Sequence, residues 1–171
     1  MFLFIVSFLY ADGYKSIAVI PADINYNNQD AVEFGEVLYD AVLDGIASYN
    51  FAQQKSENMY KITKEIEPKK ENSPEIKSAH IALKNDPQTF LKQNKLDKAI
   101  VMDFSTKRAA YIINNCQGIC DIKISLAFYA KDLNVSSSKK EFTYKYDGNS
   151  CLLSDKSLQS LKDTQASFLA K

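Results

Sequence analysis

Two unbroken apolar runs constrain this chain more than anything else in it. They are Ile17-Ala18-Val19-Ile20, closed by Pro21, and Ala99-Ile100-Val101-Met102. Neither alternates apolar with polar residues, so neither suits a strand with one wet face. Both suit strands covered on the two sides of a sheet, the usual condition where helices pack on parallel strands.

The residues after the first run supply such a helix. Asp23–Gln29 is polar and asparagine-rich, a loop. From Asp30 to Ala47, Ala31, Phe34, Leu38, Ala41, Val42 and Gly45 fall at three- and four-residue spacing, an amphipathic stripe with Asn28 or Asp30 as its cap. Strand, loop and helix open a βαβ unit. A short strand is expected at Phe51–Lys55, then a helix capped by Ser56 with Met59, Ile62 and Ile66 on one face, ended by Pro68. Pro68–Asn72 reads as a solvated connection. Ser73-Pro74-Glu75 starts a helix with proline in its favoured first turn, and Asp86-Pro87 repeats the signal for a short helix carrying Phe90 and Leu91.

After Met102 the period changes to two. Ile122, Ile124, Leu126, Phe128 and Ala130 alternate with Lys123, Ser125, Ala127 and Tyr129, and Phe142, Tyr144 and Tyr146 alternate with Thr143 and Lys145. These are half-buried antiparallel strands, joined by a Cys116–Cys120 turn and an Asn134–Ser138 loop. Ser154 caps a last helix with Leu158, Leu161 and Phe168 along one side. The expected order is β-α-β-α-α-β-β-β-α, an α/β (α+β) fold in which a βαβ opening passes into an antiparallel meander and a C-terminal helix. At 171 residues the chain suits a single domain with its own core, spanning 12–171.

The first eleven residues, MFLFIVSFLYA, are too short to anchor in a bilayer, which takes ~20 apolar residues. They fit the apolar part of a signal peptide cleaved after Ala11, although the basic stretch that usually precedes it is missing. Export makes oxidation the default state of the three cysteines. Cys116 and Cys120 flank the predicted turn, where facing Cα atoms come within disulfide reach. Cys151 follows a strand that returns to the same end of the sheet. One bridge is therefore expected, either Cys116–Cys120 or Cys151 with one of those two. CxxxC is neither the CxxC of thiol oxidoreductases nor, with a single histidine, a zinc pattern.

Catalytic material is sparse. His80 is the only histidine, and it has no GxSxG or comparable nucleophile beside it. Asp103 ends the second apolar run, where α/β proteins often place ligands, but simple alternation toward solvent is the preferred reading of it. Five glycines assemble no phosphate-binding loop. Twenty-one basic residues balance twenty-one acidic ones, and Arg108 is the only arginine, a poor endowment for a nucleic-acid reader. Phe142, Tyr144 and Tyr146, with Tyr129 on the neighbouring strand, form either a contact surface or the filling under a helix.

The stretch Lys15-Ser16-Ile17-Ala18-Val19-Ile20-Pro21, with the polar loop and helix after it, resembles the opening of the α/β domain shared by the curli secretion protein CsgG, the amino-terminal domain of TolB and flagellar-associated periplasmic proteins. Asp97-Lys98-Ala99-Ile100-Val101-Met102 sits where that family has its later apolar strand, with Met102-Asp103 at the family's glycine position and Ala22 in place of its aromatic. The resemblance spans residues 15–147. It implies a structural or assembly role in the periplasm or at the outer membrane, with no catalytic residues.

These readings converge on a non-enzymatic, exported domain that works through protein contacts, with no cofactor, no metal, no nucleic acid and no membrane anchor after cleavage. The alternative is a small-ligand-binding protein or enzyme whose pocket lies at the strand carboxyl ends, near Asp23 and Asp103, and draws on His80. Protein recovered from the native host should begin near Asp12 on amino-terminal sequencing and show one intramolecular disulfide on non-reducing peptide mapping. An intact Met1 terminus with three reactive thiols removes the export reading.

Overall fold

The computed structural model describes residues 13–23, 29–54, 58–66, 73–106, 120–131, 138–146 and 155–171. Five strands, β1 (Tyr14–Ile20), β2 (Met59–Glu65), β3 (Lys98–Thr106), β4 (Cys120–Ala130) and β5 (Ser138–Tyr146), form one sheet in the order β2-β1-β3-β4-β5. Strand β1 runs parallel to both β2 and β3, while β3–β4 and β4–β5 are antiparallel. The helices are α1 (Gln29–Ala52), α2 (Pro74–Asn85), α3 (Pro87–Gln93) and α4 (Asp155–Leu169). The fold is α/β, in the expected order.

The unbroken apolar runs are explained by two core layers, one on each side of the sheet. Ile17, Val19, Ile100 and Met102 pack with Leu38, Val42 and Ile46 of α1 and with Leu161 and Phe168 of α4. Their chain neighbours Ala18, Ile20, Ala99 and Val101 pack on the other side with Ile76, Ala79 and Leu83 of α2 and Phe90 and Leu91 of α3. Consecutive residues of a strand face opposite ways, so only a strand sandwiched between helices can be apolar at every position.

A polar clamp sets the register of the central pair. The Ser16 backbone N–H donates to Asp97 Oδ2 at 2.7 Å, and the Ser16 hydroxyl donates to the same oxygen at 2.8 Å. In return the Asp97 N–H meets the Ser16 carbonyl at 3.0 Å. Asp97 is delivered there by the end of α3. Leu96 N–H bonds Leu91 O at 2.8 Å and Lys95 N–H bonds Lys92 O at 3.2 Å, the paired bonds of a Schellman motif. Lys95 takes the left-handed position at φ 54°, a place glycine usually fills.

Both proline-marked helix starts hold. Ser73 caps α2 by accepting from Ile76 N–H at 3.5 Å, and Asp86 caps α3 by accepting from Thr89 N–H at 3.1 Å. The expectations at Asn28 and Ser154, the Cys116–Cys120 turn, the Asn134–Ser137 part of the following loop and the leader lie outside the described residues.

The stretch 51–66 differs from expectation. Helix α1 runs on through Phe51, and the supposed second helix is strand β2. Strands β1 and β2 pair through a bulge. Register shifts by one residue between Ile17 and Ala18, so Tyr60 and Ile62 belong to the α1 layer while Ile66 belongs to the α2 layer. A one-residue slip exchanges faces, so Ile62 and Ile66, which would share a side in a regular strand, fall in opposite layers.

Helices α1 and α4 cross at Gly45, where a Cβ would overlap the Gln165 carboxamide. Gln165 Nε2 donates to Val42 O at 3.1 Å in this buried contact. Gly45→Ala gains about 1 kcal/mol of helix propensity and loses more to overpacking and the broken bond, about 1–3 and about 1 kcal/mol respectively. A net loss of about 1–3 kcal/mol in urea unfolding is expected, with much of it restored when Gln165→Ala is added.

Candidate functional site

Three regions hold the residues that chemistry would need: the carboxyl ends of β1 and β3, the buried Lys98 under α4, and the two edges of the sheet.

At the carboxyl ends, His80 on α2 donates its Nε2 hydrogen to the Pro21 carbonyl at 2.7 Å. The bond fastens α2 to the end of β1 and commits that ring nitrogen to structure. Asp103 stands exposed on β3, opposite Ser125 of β4, and Asp23 is half-buried just past β1. No hydrogen bond or ion pair joins any two of Asp23, His80 and Asp103. Among the described residues no three His, Cys, Asp or Glu side chains converge to hold a metal ion.

Cys116 and Cys151 lie outside the described residues, and Cys120 is described only as the first residue of β4, opposite Tyr146 of β5.

The most perturbed group is one that sequence reasoning passed over. Lys98 begins β3 beside Ile17 and is only 6% exposed. Its Nζ donates to the carbonyls of Phe168 at 2.9 Å and Leu169 at 3.0 Å, acceptors in the last turn of α4. Tyr60 Oη donates to Leu169 O at 3.0 Å as well. The Lys98 ammonium lies 4.6 Å from the Phe168 ring centroid and 5.0 Å from that of Tyr60. Phe168 itself stacks on Phe128 of β4 at 4.8 Å. Burial, reinforced by Lys15, lowers Lys98 to about 8, with Asp97 pulling the other way. Burial, then Tyr49 and Asp97, pushes the Tyr60 phenol up to about 12. A nucleophilic lysine needs open approach to a substrate carbon. Here helix carbonyls and two rings surround the amine, so it is the anchor of α4. The only sign of it in the sequence was a lysine placed directly before an apolar run.

The two sheet edges differ. On β2 the Asn50 carboxamide closes on the main chain of Tyr60: Asn50 Nδ2 donates to Tyr60 O at 2.7 Å, and Tyr60 N–H donates to Asn50 Oδ1 at 2.8 Å. A side chain thus occupies the Tyr60 donor and acceptor, two of the groups a further strand would need. On the far side, β5 is the last strand, and among the described residues nothing pairs with its outer edge. Phe142 is registered opposite Ile124, Tyr144 opposite Ile122 and Tyr146 opposite Cys120. Ile124 belongs to the α1/α4 layer, and directly opposed residues of an antiparallel pair share a face. These register positions therefore continue the helix-covered side of the sheet out to its open edge.

No protein-family model matches the chain, and no curated protein matches it. Among the described residues no helix is long and apolar enough to cross a membrane.

The Lys98 anchor carries a pH signature. Between about pH 8 and the ordinary lysine range the unfolded chain still holds a proton that the folded chain has released. Raising pH through this window therefore stabilises the fold. Above pH 10 Tyr60 acts oppositely, because the folded phenol keeps its proton to about 12 while the unfolded one loses it. The unfolding free energy of the wild type, relative to Lys98→Met, should rise by about 1 kcal/mol between pH 7.5 and 9.5 in urea titrations. A pH-independent difference removes the assignment.

Proposed function

We propose that this is an exported, non-enzymatic domain of a bacterial envelope that acts by binding protein at the open edge of its sheet. The observation that carries the reading is the contrast between the edges. The β2 edge is blocked by Asn50, whereas β5 ends the sheet with its outer backbone groups unpaired among the described residues. An exposed edge strand is a template for an added strand, which contributes main-chain hydrogen bonds while alternate side chains set specificity. Phe142, Tyr144 and Tyr146 place aromatic area along that strand, and aromatics are enriched among interface anchors.

Two sequence features support the compartment and role. The apolar leader before Asp12 supports export. The resemblance of residues 15–147 to the CsgG and TolB amino-terminal-like domains supports an assembly role in the periplasm or at the outer membrane. The commitment of His80 Nε2 to Pro21 weighs against the ligand-pocket alternative, since that reading needs His80 free to meet Asp23 and Asp103.

The experiment is recovery of partners from envelope extract with tagged protein, read by mass spectrometry. Tyr144→Ala should reduce recovery at least about thirtyfold, the effect of losing a central anchor worth about 2 kcal/mol, with the far-ultraviolet circular dichroism of the purified domain unchanged. His80→Ala should leave recovery intact. Recovery lost in His80→Ala or Asp103→Ala and kept in Tyr144→Ala moves the function to the strand ends.

A further inference from the structure

We infer that the strand received at this edge is β5 of a second copy of the chain, paired antiparallel about a two-fold axis at Thr143; the inference rests on the edge reading above. A symmetric pair brings each residue opposite its mate across the axis, so the strand must complement its own reversal. Ser138–Tyr146, SKKEFTYKY, does so at one register. With the axis at Thr143, Phe142 meets Tyr144 twice, Glu141 meets Lys145 twice and Lys140 meets Tyr146 twice, while Thr143 meets its own copy. Aromatic, opposite-charge and Thr–Thr pairs are the cross-strand combinations that stabilise sheets.

Neighbouring registers fail on charge. An axis at Phe142 sets Lys139 against Lys145 on both sides, and an axis at Glu141 sets the two Glu141 carboxylates against each other. An axis at Tyr144 carries Glu141 past the end of the paired strand. Within its own chain Glu141 is registered opposite Ser125, an uncharged residue. Lys145 faces Asp121 on one side and would gain Glu141 of the other copy on the second.

A two-fold pairing uses the β5 edge of both copies at once, and Asn50 on the main chain of Tyr60 obstructs addition at β2, so the assembly closes at two, as a ten-stranded sheet. Pairing through one strand buries far less than a standard interface, so association in the range of about 10–100 µM is expected.

Sedimentation velocity from about 5 to 500 µM, bracketing that range, tests the arrangement with two charge reversals. Glu141→Lys alone and Lys145→Glu alone each create two like-charge contacts in the dimer, and each should weaken it at least about tenfold. Mixed one to one, the E141K and K145E chains complement each other at both pairs, so the mixture should dimerise where neither variant does. A wild type that stays monomeric to 500 µM overturns the inference, as does a mixture no more associated than its components. If either variant loses its folded circular dichroism spectrum, hydrogen exchange of the wild-type β5 amides carries the test. Protection must rise with concentration, and constant protection overturns the dimer. A monomeric wild type that still recovers another protein in a Tyr144-dependent way refutes self-pairing and leaves the edge reading standing. Monomer together with Tyr144-independent recovery removes both.

Discussion

The pairing of β1 with β3 is the contact on which the rest of the fold depends, and the Ser16–Asp97 clamp is what determines its register. The two strands are far apart in sequence and approach in parallel, so no turn geometry aligns them. A slip of one residue would move every side chain of both runs into the wrong layer. Hydrophobic burial alone resists such a slip weakly here, because Ile17 to Ile20 is apolar at every position and either layer accepts aliphatic residues. A serine and an aspartate exchanging several directed bonds at the start of the strands discriminate between registers in a way that the core cannot. The left-handed Lys95 belongs to the same device, since it ends α3 at the residue that lets the chain turn and present Asp97 to β1.

From that pair the sheet grows unequally. To one side the chain adds β2, twists it by a bulge and seals its edge with Asn50. To the other it adds β4 and β5 as a meander and leaves the edge open among the described residues. Helix α4 returns across the α1 side and is held by its last carbonyls. Lys98 holds those carbonyls from the first residue of β3, immediately after the clamp residue Asp97. Register and helix docking are thus set by adjacent residues, and a shift of β3 by one position would move Lys98 to the other face and release α4. The same proximity makes Asp97 one of the charges acting on Lys98 and Tyr60.

How much of this could be read from the residues depended on whether the signal was local. The buried runs, the proline-marked caps at Ser73 and Asp86 and the period of two that marks β4 and β5 as strands are local, and the runs, the caps and both strands appear in the structure. Met59–Glu65 was misread because Met59, Ile62 and Ile66 imitate a helical stripe, while the bulge that sends Ile62 and Ile66 to opposite layers is a property of the pair β1–β2 and not of β2 alone. Lys98 was passed over for a related reason. A lysine before a strand is ordinary until α4, beginning more than fifty residues later, sets its terminal carbonyls above it. Asn50 likewise looks like one more polar residue near a helix end, and only the position of Tyr60 makes it an edge block. Asp103 and His80 mark the limit from the other direction, since residue types suited to catalysis are here accounted for by alternation toward solvent and by a bond to the Pro21 carbonyl.

Edge strands expose sheets to indiscriminate pairing, and chains commonly counter this with charge, bulges or cover. At β2 this chain uses a bulge and a carboxamide lock together. At β5 it uses Lys139, Lys140 and Lys145, which repel a basic or misregistered strand and leave the backbone accessible to a complementary one. Charge of this kind selects a partner more than it prevents pairing, because its cost falls on wrong registers and is relieved in the right one. Asn50 shows that one side chain can occupy both main-chain groups of an edge residue. Under the edge-binding proposal, β5, with nothing paired to its outer side among the described residues, is where a specific strand would be added, and the alternation of aromatic and charged residues in its sequence is what would make that addition selective.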